Sequence, residues 1–335
     1  MSGAPLCSVI VVNWNGRELL GPCLEGLREQ RWQDFEVLLV DNASSDGSAA
    51  WVRTHFPEVH VIESARNLGF AGGANVGFAA ARGEYLVVLN NDTRPEPQFL
   101  EALVEAARED ARVGMVAGVL VFAHRPDHIA SAGIRMQWDG VAIDHLAGQP
   151  RSSLPDAPVE VFGPSGGAAL YRRAMIREIG PFREELFAYL EDAELAWRAR
   201  LAGWRCLLAP GAVVRHVYSA TSGLGSPFKS FALARNRLLL LFLVLPGGLW
   251  LRFFPFIAAY DLSACAYGLL VGDLQVVRGR FAALRALSGL WGERRALQKR
   301  RRVALRDLAR LLDPPMAPWS VLRLRRAIAR LAGAI

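Results

Sequence analysis

The residues best suited to chemistry stand at the end of one apolar run. Residues 85–89 are apolar, Asn90, Asn91 and Asp92 follow them, and a helical pattern begins near Glu96. A strand, a polar tip and a helix in this order put Asp92 at the carboxyl edge of a sheet, where open α/β sheets bind ligands. A carboxylate there can hold a divalent metal and, through it, a substrate phosphate.

Two earlier apolar runs end in the same kind of polar tip. The β-branched run 8–12 is followed by Asn13 and Asn15, and the run 36–40 is followed by Asp41. Strands joined by right-handed crossovers place their carboxyl ends at one edge of a sheet. Asn, Asp and Gly also form ordinary turns after strands, but three such tips together favour a shared binding site.

The elements around these tips alternate between strand and helix. The pattern predicts a helix over 48–55, a short strand at 59–62 and a buried strand at 113–122, and it gives a glycine-rich turn at 66–75 that leads into a helix. Residues 124–158 have a weak, loop-like pattern. This alternation predicts an α/β fold with a doubly wound, mostly parallel sheet.

A second group of candidate residues lies further along the chain. A helix starting near residue 187 carries Glu191, Asp192 and Glu194, and Glu194 can pair with Arg198 four residues later. Acidic residues in a first helical turn are favoured by the helix dipole alone. The functional interpretation is that one of these carboxylates is a general base acting on a hydroxyl.

Two further features remain open from the residues alone. Gly166 and Gly167 either let the backbone approach a ligand closely or form a plain tight turn. His216 ends a last predicted strand, 207–216, where it has either a structural role or a role as a metal ligand.

Composition bounds the class of protein. The chain has 335 residues, 52% of them hydrophobic, which fits one large or two smaller domains with a sizeable core. Residues 1–30 lack a basic leader, so we do not expect a signal peptide. The cysteines have no CxxC spacing, which predicts neither a disulfide framework nor a zinc site and fits a reducing compartment. They are Cys7, Cys23, Cys206 and Cys265.

The charge is divided unevenly. Residues 1–234 hold 21 Lys+Arg and 27 Asp+Glu, whereas residues 235–335 hold 18 and 5. A basic tail on an acidic body predicts a polyanionic partner, either a nucleic acid or an anionic membrane. Residues 238–272 are strongly apolar, which favours lipid, so we expect no nucleic acid.

The apolar tail can meet a membrane in more than one way. Residues 253–272 are long enough to span a bilayer, but Asp261 near the middle would cost roughly 2.5–3.5 kcal/mol. A crossing would also export the 15 Lys+Arg that follow, against the positive-inside tendency. We therefore expect helices on or dipping into the cytoplasmic membrane face, as a hairpin broken at 246–248.

The last part of the chain repeats this character. Within residues 290–311 an apolar stripe is surrounded by basic residues, and 321–331 repeat the pattern. The stripe consists of Leu290, Leu297, Ala304, Leu308 and Leu311. A basic amphipathic helix is typical of membrane surfaces. The alternative is an ordinary helical subdomain or a dimer contact, which would make the protein a homo-oligomer.

Taken together, the motifs resemble those of family 2 glycosyltransferases and are most similar to the rhamnosyltransferase-like branch. The similarity runs from about residue 7 to 237. It rests on SVIVVNWNG at 8–16, VDNASSDG at 40–47, NLGFA at 67–71, LNND at 89–92 and LEDAE at 190–194.

The resemblance implies a GT-A fold and an inverting transfer from a nucleotide sugar, with dTDP-rhamnose as the expected donor and a lipid-linked or cell-surface glycan as the acceptor. It implies a glycosyltransferase domain at 1–234, with a nucleotide-binding half at about 1–112 and an acceptor half at 113–234, followed by the membrane tail at 235–335. Two alternatives are a non-catalytic nucleotide- or glycan-binding protein and a transferase that uses UDP- or GDP-sugars.

The resemblance also gives roles to residues. Asp192 takes the position of the catalytic base, and Asp92 and His216 take positions at a Mg²⁺ or Mn²⁺ site. The first Asp of the usual Asp-x-Asp motif is Asn90 here, which removes one negative charge from that site. The expected nucleotide-sugar residues are Asn13, Asn15, Asp41, Asn67, Asn91 and Asp92, and the expected acceptor and donor region contains Gly166, Gly167, Glu191 and Arg235.

Overall fold

The first part of the chain alternates strand and helix as the pattern predicts. A computed structural model describes residues 3–217 and 226–333. The elements up to the opening polar tip are β1 (Cys7–Asn13), α1 (Arg17–Arg28), β2 (Phe35–Asp41), α2 (Ser48–His55), β3 (His60–Glu63), α3 (Gly69–Ala80) and β4 (Tyr85–Asn90).

The middle part adds strands of both directions and three helices. Its elements are β5 (Thr93–Pro95), α4 (Phe99–Arg108), β6 (Val113–Phe122), β7 (Arg125–Ser131), β8 (Ile134–Gln137), β9 (Ala142–Asp144), β10 (Val159–Glu160), β11 (Ala168–Arg172), α5 (Arg173–Ile179), α6 (Glu191–Ala202) and β12 (Arg205–His216).

Ten of the described strands form one large, mostly parallel mixed sheet, which confirms the predicted fold class. Its order is β10-β12-β6-β11-β4-β1-β2-β3, with β5 on β12 and β7 on β6. The pairs among β3, β2, β1 and β4 are parallel, and so is the pair β6–β12. Strand β11 is antiparallel to both β4 and β6, so its first residues lie at the carboxyl end of β4.

Helices cover both faces of the sheet, which explains the continuous apolar runs in the strands. Ile10 of β1 packs in one buried cluster with residues of α3 and α6. Its neighbours Val9 and Val11 point to the other face and pack with residues of α1 and α4. Because successive side chains of a strand alternate between faces, a strand covered on both sides must be apolar throughout.

Four local predictions before residue 235 are wrong. The helix expected to start near residue 187 begins only at Glu191, because Phe187, Tyr189 and Leu190 have positive φ values. The glycine-rich stretch 66–75 is not only a turn, because α3 already begins at Gly69 and its small residues pack closely on β1. Residues 124–158 are not loop-like, because they contain β7, β8 and β9. The helix expected near Glu96 begins at Phe99, since the short strand β5 precedes it.

The tail is helical, and its first helix belongs to the core. Leu240, Leu241 and Val244 lie in the same buried cluster as one face of the sheet. The predicted single amphipathic helix over 290–311 is wrong, because two short helices occupy it. The tail elements are α7 (Pro227–Val244), α8 (Gly247–Leu270), α9 (Gln275–Leu287), α10 (Trp291–Lys299), α11 (Leu305–Arg310), β13 (Leu312–Asp313) and α12 (Pro318–Leu331).

The tail also adds a strand beside the main sheet. Strand β13 pairs in parallel with β8, in a small sheet ordered β13-β8-β9. Arg135 of β8 contacts Asp313 at 2.6 Å, and the indole N–H of Trp138 donates to the backbone oxygen of Leu312 at 3.1 Å. The division of the chain at residue 234 stays a prediction, and α7 runs through that position.

Helix α8 is the one helix in the described ranges that is long and apolar enough to cross a membrane by length and composition. Leu249, Phe253 and Ile257, spaced four apart, are its buried face, and Asp261 is the next residue of that series. Asp261 Oδ1 accepts hydrogen bonds of 2.8 Å from Arg237 of α7 and from Arg280 of α9. The acidic residue of the apolar helix therefore faces protein.

The predicted pair Glu194–Arg198 is a buried ion pair in α6. Glu194 is fully buried, and Arg198 Nη2 lies 2.8 Å from its carboxylate. Arg198 also donates to the backbone oxygens of Ile179, Gly180 and Pro181. The pair thus fastens α6 to the end of α5.

We predict that Glu194→Ala lowers the free energy of unfolding by about 3–5 kcal/mol, because it leaves Arg198 as an uncompensated buried charge. Urea unfolding followed by tryptophan fluorescence measures this. The control is Glu185→Ala, whose side chain is largely exposed beside Arg183 and which should cost less than about 1 kcal/mol. Equal effects of the two substitutions would contradict the prediction.

Candidate active site

The polar tips of β1, β2 and β4 meet at one edge of the sheet. In the parallel register Asn13 stands beside Asp41, and Val12 stands beside Asn90. Asn13 Nδ2 donates to Asp41 Oδ1 at 3.2 Å, and its Oδ1 accepts from Asn91 Nδ2 at 2.7 Å. These three buried side chains therefore form one connected row across three strands.

A glycine makes room for this row. A Cβ atom at Gly16 would overlap the side-chain amides of Asn91 and Asn13. Asn15 lies one residue earlier with a positive φ of 49°, and its Oδ1 accepts from the backbone N–H of Ser45 at 2.8 Å. Asn15 is exposed and thus ties the loop after β1 to the loop after β2.

Asn67 reaches the same edge through a residue that sequence reasoning did not single out. Asn42 is buried and donates to Asn67 Oδ1 at 3.0 Å and to the backbone oxygen of Gly69 at 2.9 Å. Its Oδ1 accepts from the backbone N–H of Leu68 at 2.9 Å. Asn42 therefore holds the start of α3 against β2, and its place in the VDNASSDG motif was the available signal.

Asp92 and His216 are brought together by the short strand β5. This strand pairs antiparallel with the end of β12, with Thr93 opposite His216. His216 Nε2 then lies 3.2 Å from Asp92 Oδ1. This oxygen is buried and accepts no hydrogen bond from the residues that the structure describes. A carboxylate oxygen and an imidazole nitrogen in this arrangement fit two ligands of a divalent metal.

The protein ligands at this point do not complete a metal site. Among the residues that the structure describes, no group of three or more His, Cys, Asp or Glu is placed to hold an ion. The Asn90 position supplies an amide where a second carboxylate would add charge. A metal here would therefore complete its coordination with substrate phosphate and water, as Mg²⁺ commonly does.

The predicted base is linked to this edge through two glycines. The backbone N–H of Asn90 donates to the oxygen of Gly167 at 3.1 Å. The N–H of Gly166 donates to Asp192 Oδ2 at 2.9 Å, and the N–H of Ala193 donates to its Oδ1 at 2.7 Å. The tip of β4 and the start of α6 are thus two hydrogen bonds apart.

Side chains pack closely around both glycines of this link. A Cβ at Gly167 would lie 2.8 Å from Leu120 and 3.2 Å from Asn90 Nδ2, and one at Gly166 would lie 3.2 Å from the ring of Phe70. The backbone therefore runs close to neighbouring side chains here, and the predicted approach to a ligand stays a prediction.

Burial changes the ionisation of the acidic residues here. It raises the pKa of Asp192, although the backbone N–H donors from Gly166 and Ala193 oppose the rise. Burial and then the charge of Asp192 raise the pKa of Glu191 well above its usual range. The pair therefore favours one ionised carboxylate over two.

A further carboxylate, Asp144, belongs to this region and was missed by the sequence. Its pKa is raised to about 6, mainly by burial and also by the charge of Asp192, while Ser131, His216 and Lys229 oppose the rise. Asp144 lies in β9, in the stretch that the pattern assigned to a loop. No motif marks it, because the pairing of β8 and β9 is what places it.

Helix α7 contacts the loop that precedes the base. Arg235 Nη1 donates to the backbone oxygen of Glu185 at 2.8 Å. The neighbouring Asn236 is fully buried and donates to the backbone oxygens of Leu186, Ala188 and Tyr189 at 2.9–3.0 Å. Arg235 was expected in the acceptor and donor region, and its hydrogen bond goes to this loop.

Comparison with known proteins assigns the chain to a protein family. The family model described as "Glycosyl transferase family 2" matches residues 8–180, which include the three tips and both glycines. The chain belongs to this family. It is a glycosyltransferase, and the resemblance found in its motifs is confirmed.

Similar proteins include the N-acetylglucosaminyl-diphospho-decaprenol L-rhamnosyltransferase of Mycobacterium tuberculosis, which is 26% identical over 238 residues, covering 64% of this chain and 77% of the relative. S. aureus TarS 1-349 in complex with UDP-GlcNAc superposes with a TM-score of 0.57 at 20% identity, over 87% and 88% of the two chains.

A mannosyltransferase from Pyrobaculum calidifontis, in complex with GDP-Man and Mn²⁺, superposes with a TM-score of 0.53 at 20% identity, over 99% of this glycosyltransferase and 87% of that chain. Both structural matches show the fold, which is GT-A.

We predict that Asp192→Asn lowers kcat for sugar transfer by about 10²–10⁴-fold, the usual contribution of a general base, and leaves donor affinity unchanged. Because burial raises the pKa of Asp192, the wild-type rate should fall as the pH drops through that raised value and the base becomes protonated. Steady-state kinetics across a pH series measure both effects.

The matched control is Asp127→Asn, which removes an exposed carboxylate on β7 and should leave kcat and its pH dependence unchanged. Near-normal turnover in the Asp192 variant would sink the assignment of the base.

Proposed function

We propose that this glycosyltransferase transfers rhamnose from dTDP-rhamnose, with inversion, to a lipid-linked glycan acceptor. The observation that supports the mechanism is the link from Asn90 through Gly167 and Gly166 to Asp192, because it holds a carboxylate two hydrogen bonds from the tip of β4. The printed name of the mycobacterial relative supports the choice of sugar and acceptor. UDP- and GDP-sugars are the alternative donors.

The nucleotide side of the proposal rests on the row of polar tips. Asp41 contacts the nucleobase or its ribose, and Asn13 and Asn67 line the same pocket. Asp41 is buried, and its Oδ2 accepts from the backbone N–H of Ser44 at 3.1 Å. This hydrogen bond fixes the carboxylate before a ligand arrives, which reduces the cost of ordering it on binding.

Asp192 acts as the base of the transfer. Its carboxylate removes the proton of the acceptor hydroxyl as that oxygen bonds to the anomeric carbon, while the bond from this carbon to the donor diphosphate breaks on the opposite face. A single displacement of this kind inverts the anomeric centre. The two backbone N–H groups that hold Asp192 orient the carboxylate and oppose the pKa rise due to burial.

Asp92 and His216 hold the divalent metal of this proposal, Mg²⁺ or Mn²⁺. When bound, the metal supplies positive charge to the departing diphosphate. The contact of 3.2 Å between Asp92 and His216 keeps these two side chains at the point where the donor phosphates meet the sheet edge.

We predict that EDTA abolishes transfer and that Mn²⁺ or Mg²⁺ restores it. Asp92→Asn should raise the metal concentration for half-maximal activity at least about tenfold, and Asn90→Asp should lower it, because carboxylate charge tunes affinity for hard cations. Release of nucleoside diphosphate measures activity across a metal titration. Full activity in the presence of the chelator would remove the metal from the proposal.

The tail helix α8 places the enzyme on the cytoplasmic face of the membrane in this proposal. Leu251, Leu262 and Leu269 lie on one stripe, because seven or eleven residues make nearly whole helical turns, and they are 60–83% exposed. The basic excess of the tail favours an anionic surface. With Asp261 turned toward Arg237 and Arg280, the outer face has no acidic residue to oppose lipid contact.

We predict that the full chain sediments with vesicles containing phosphatidylglycerol, less so as salt is raised, and that Leu262→Glu with Leu269→Glu lowers the bound fraction about tenfold through lost apolar burial. The control Thr54→Glu adds charge at an exposed site on α2 and should bind like wild type. Unchanged vesicle binding of the double variant would contradict the proposal. A lower molecular mass of the double variant than of the wild type in solution would also contradict it, because the leucines would then form a dimer contact.

A further inference from the structure

The loop before the proposed base has a strained backbone. Phe187, Tyr189 and Leu190 have φ values of 64°, 70° and 67°, and none of them is glycine. Such conformations cost on the order of 1–3 kcal/mol each and persist where the surroundings over-determine them. Glu191 and Asp192 follow at once, so the strain lies directly beside the base.

Helix α7 and helix α3 hold this loop from two sides. Asn236 of α7 donates to the backbone oxygens of Leu186, Ala188 and Tyr189. The backbone N–H of Ala71 in α3 donates to the oxygen of Phe187 at 3.0 Å. Because these contacts go to backbone oxygens, they fix the path of the loop.

The rings that this loop presents are partly open to solvent. Phe187 is 37% exposed, and Phe228 of α7 is 47% exposed. Their ring centroids are 5.9 Å apart in an edge-to-face arrangement, and Tyr189 lies 6.1 Å from Phe228. A Cβ at Gly69 would overlap Phe187, so this aromatic cluster packs against the start of α3.

A positive charge lies next to the rings. Lys229 Nζ is 5.4 Å from the centroid of the Tyr189 ring. The Lys229 ammonium and the Asp192 carboxylate both act on the pKa of Asp144, so both charges lie near that residue. Exposed aromatic faces pack well on the C–H groups of a sugar ring, and an ammonium attracts phosphate.

We propose that Phe187, Phe228 and Lys229 form the acceptor subsite, in which the rings hold the acceptor sugar and Lys229 contacts its diphosphate. This assignment rests on the proposed function and specifies the part of the acceptor that the enzyme recognises. Phe187 and Tyr189 lie in the loop that leads directly into Asp192, so a sugar held on these rings would offer its hydroxyl near the base. Asn236 is then a positioning residue, because it fixes the loop that carries both the ring of Phe187 and the base.

The test measures acceptor and donor KM separately, with a short-chain N-acetylglucosaminyl diphosphate lipid and an alkyl N-acetylglucosaminide as probes and dTDP-rhamnose as donor. Phe228→Ala should raise the KM of both acceptors about tenfold and leave donor KM and donor hydrolysis without acceptor unchanged. Lys229→Gln should raise KM for the diphosphate acceptor alone. The controls are Phe281→Ala, at an exposed ring on α9, and Lys299→Gln, at the exposed end of α10.

An unchanged acceptor KM in Phe228→Ala, with wild-type transfer intact, overturns the subsite. A parallel rise in donor KM also overturns it, because the ring would then support the cleft as a whole. Equal effects of Lys229→Gln on both acceptors refute the phosphate contact. Donor hydrolysis by the wild-type enzyme with no transfer to either probe would count against the proposed function itself. This outcome differs from failure of the subsite, because no acceptor KM could then be measured for any variant.

Discussion

The short hydrogen-bonded path from Asn90 through Gly167 and Gly166 to Asp192 is the constraint on which the site depends. It exists because β11 enters the sheet antiparallel between β4 and β6, so the residues before β11 lie at the carboxyl end of β4. A parallel strand in this place would present its last residues instead. One reversed strand therefore joins the two halves of the cleft, and glycine at both positions keeps the backbone close enough for the connection.

The parts of the site that a single segment determines were predictable from the sequence. A buried strand followed by Asx residues has few alternatives in an α/β sheet, so the tips at Asn13, Asp41 and Asp92 follow from local pattern and strand direction. The pair Glu194–Arg198 follows from helical spacing alone. In each case the signal lies within about ten residues of the feature.

The parts that depend on contacts between distant segments were not predictable. Asp144 reaches the cleft through the pairing of β8 and β9, whose weak alternation reads as a loop. Asn236 is a buried amide within an otherwise apolar helix, and only its distance to the carbonyls of the loop before α6 reveals its purpose. Composition could not place α7 either, because a helix that joins a protein core and a helix that lies on lipid need equally apolar side chains.

The placement of acidic residues matters both in the tail and at the sheet edge that carries Asp92. In α8 the one acidic residue, Asp261, is turned inward between two arginines, and this placement leaves an outer face without acidic residues. At the catalytic edge Asn90 removes a carboxylate, so Asp92 is the single negative group of the tip. In our proposal, a cation bound there would keep more of its charge for the donor diphosphate than one bound by two carboxylates. Metal and donor should then bind together, because the diphosphate supplies the negative charge that the protein ligands lack and the metal neutralises the diphosphate.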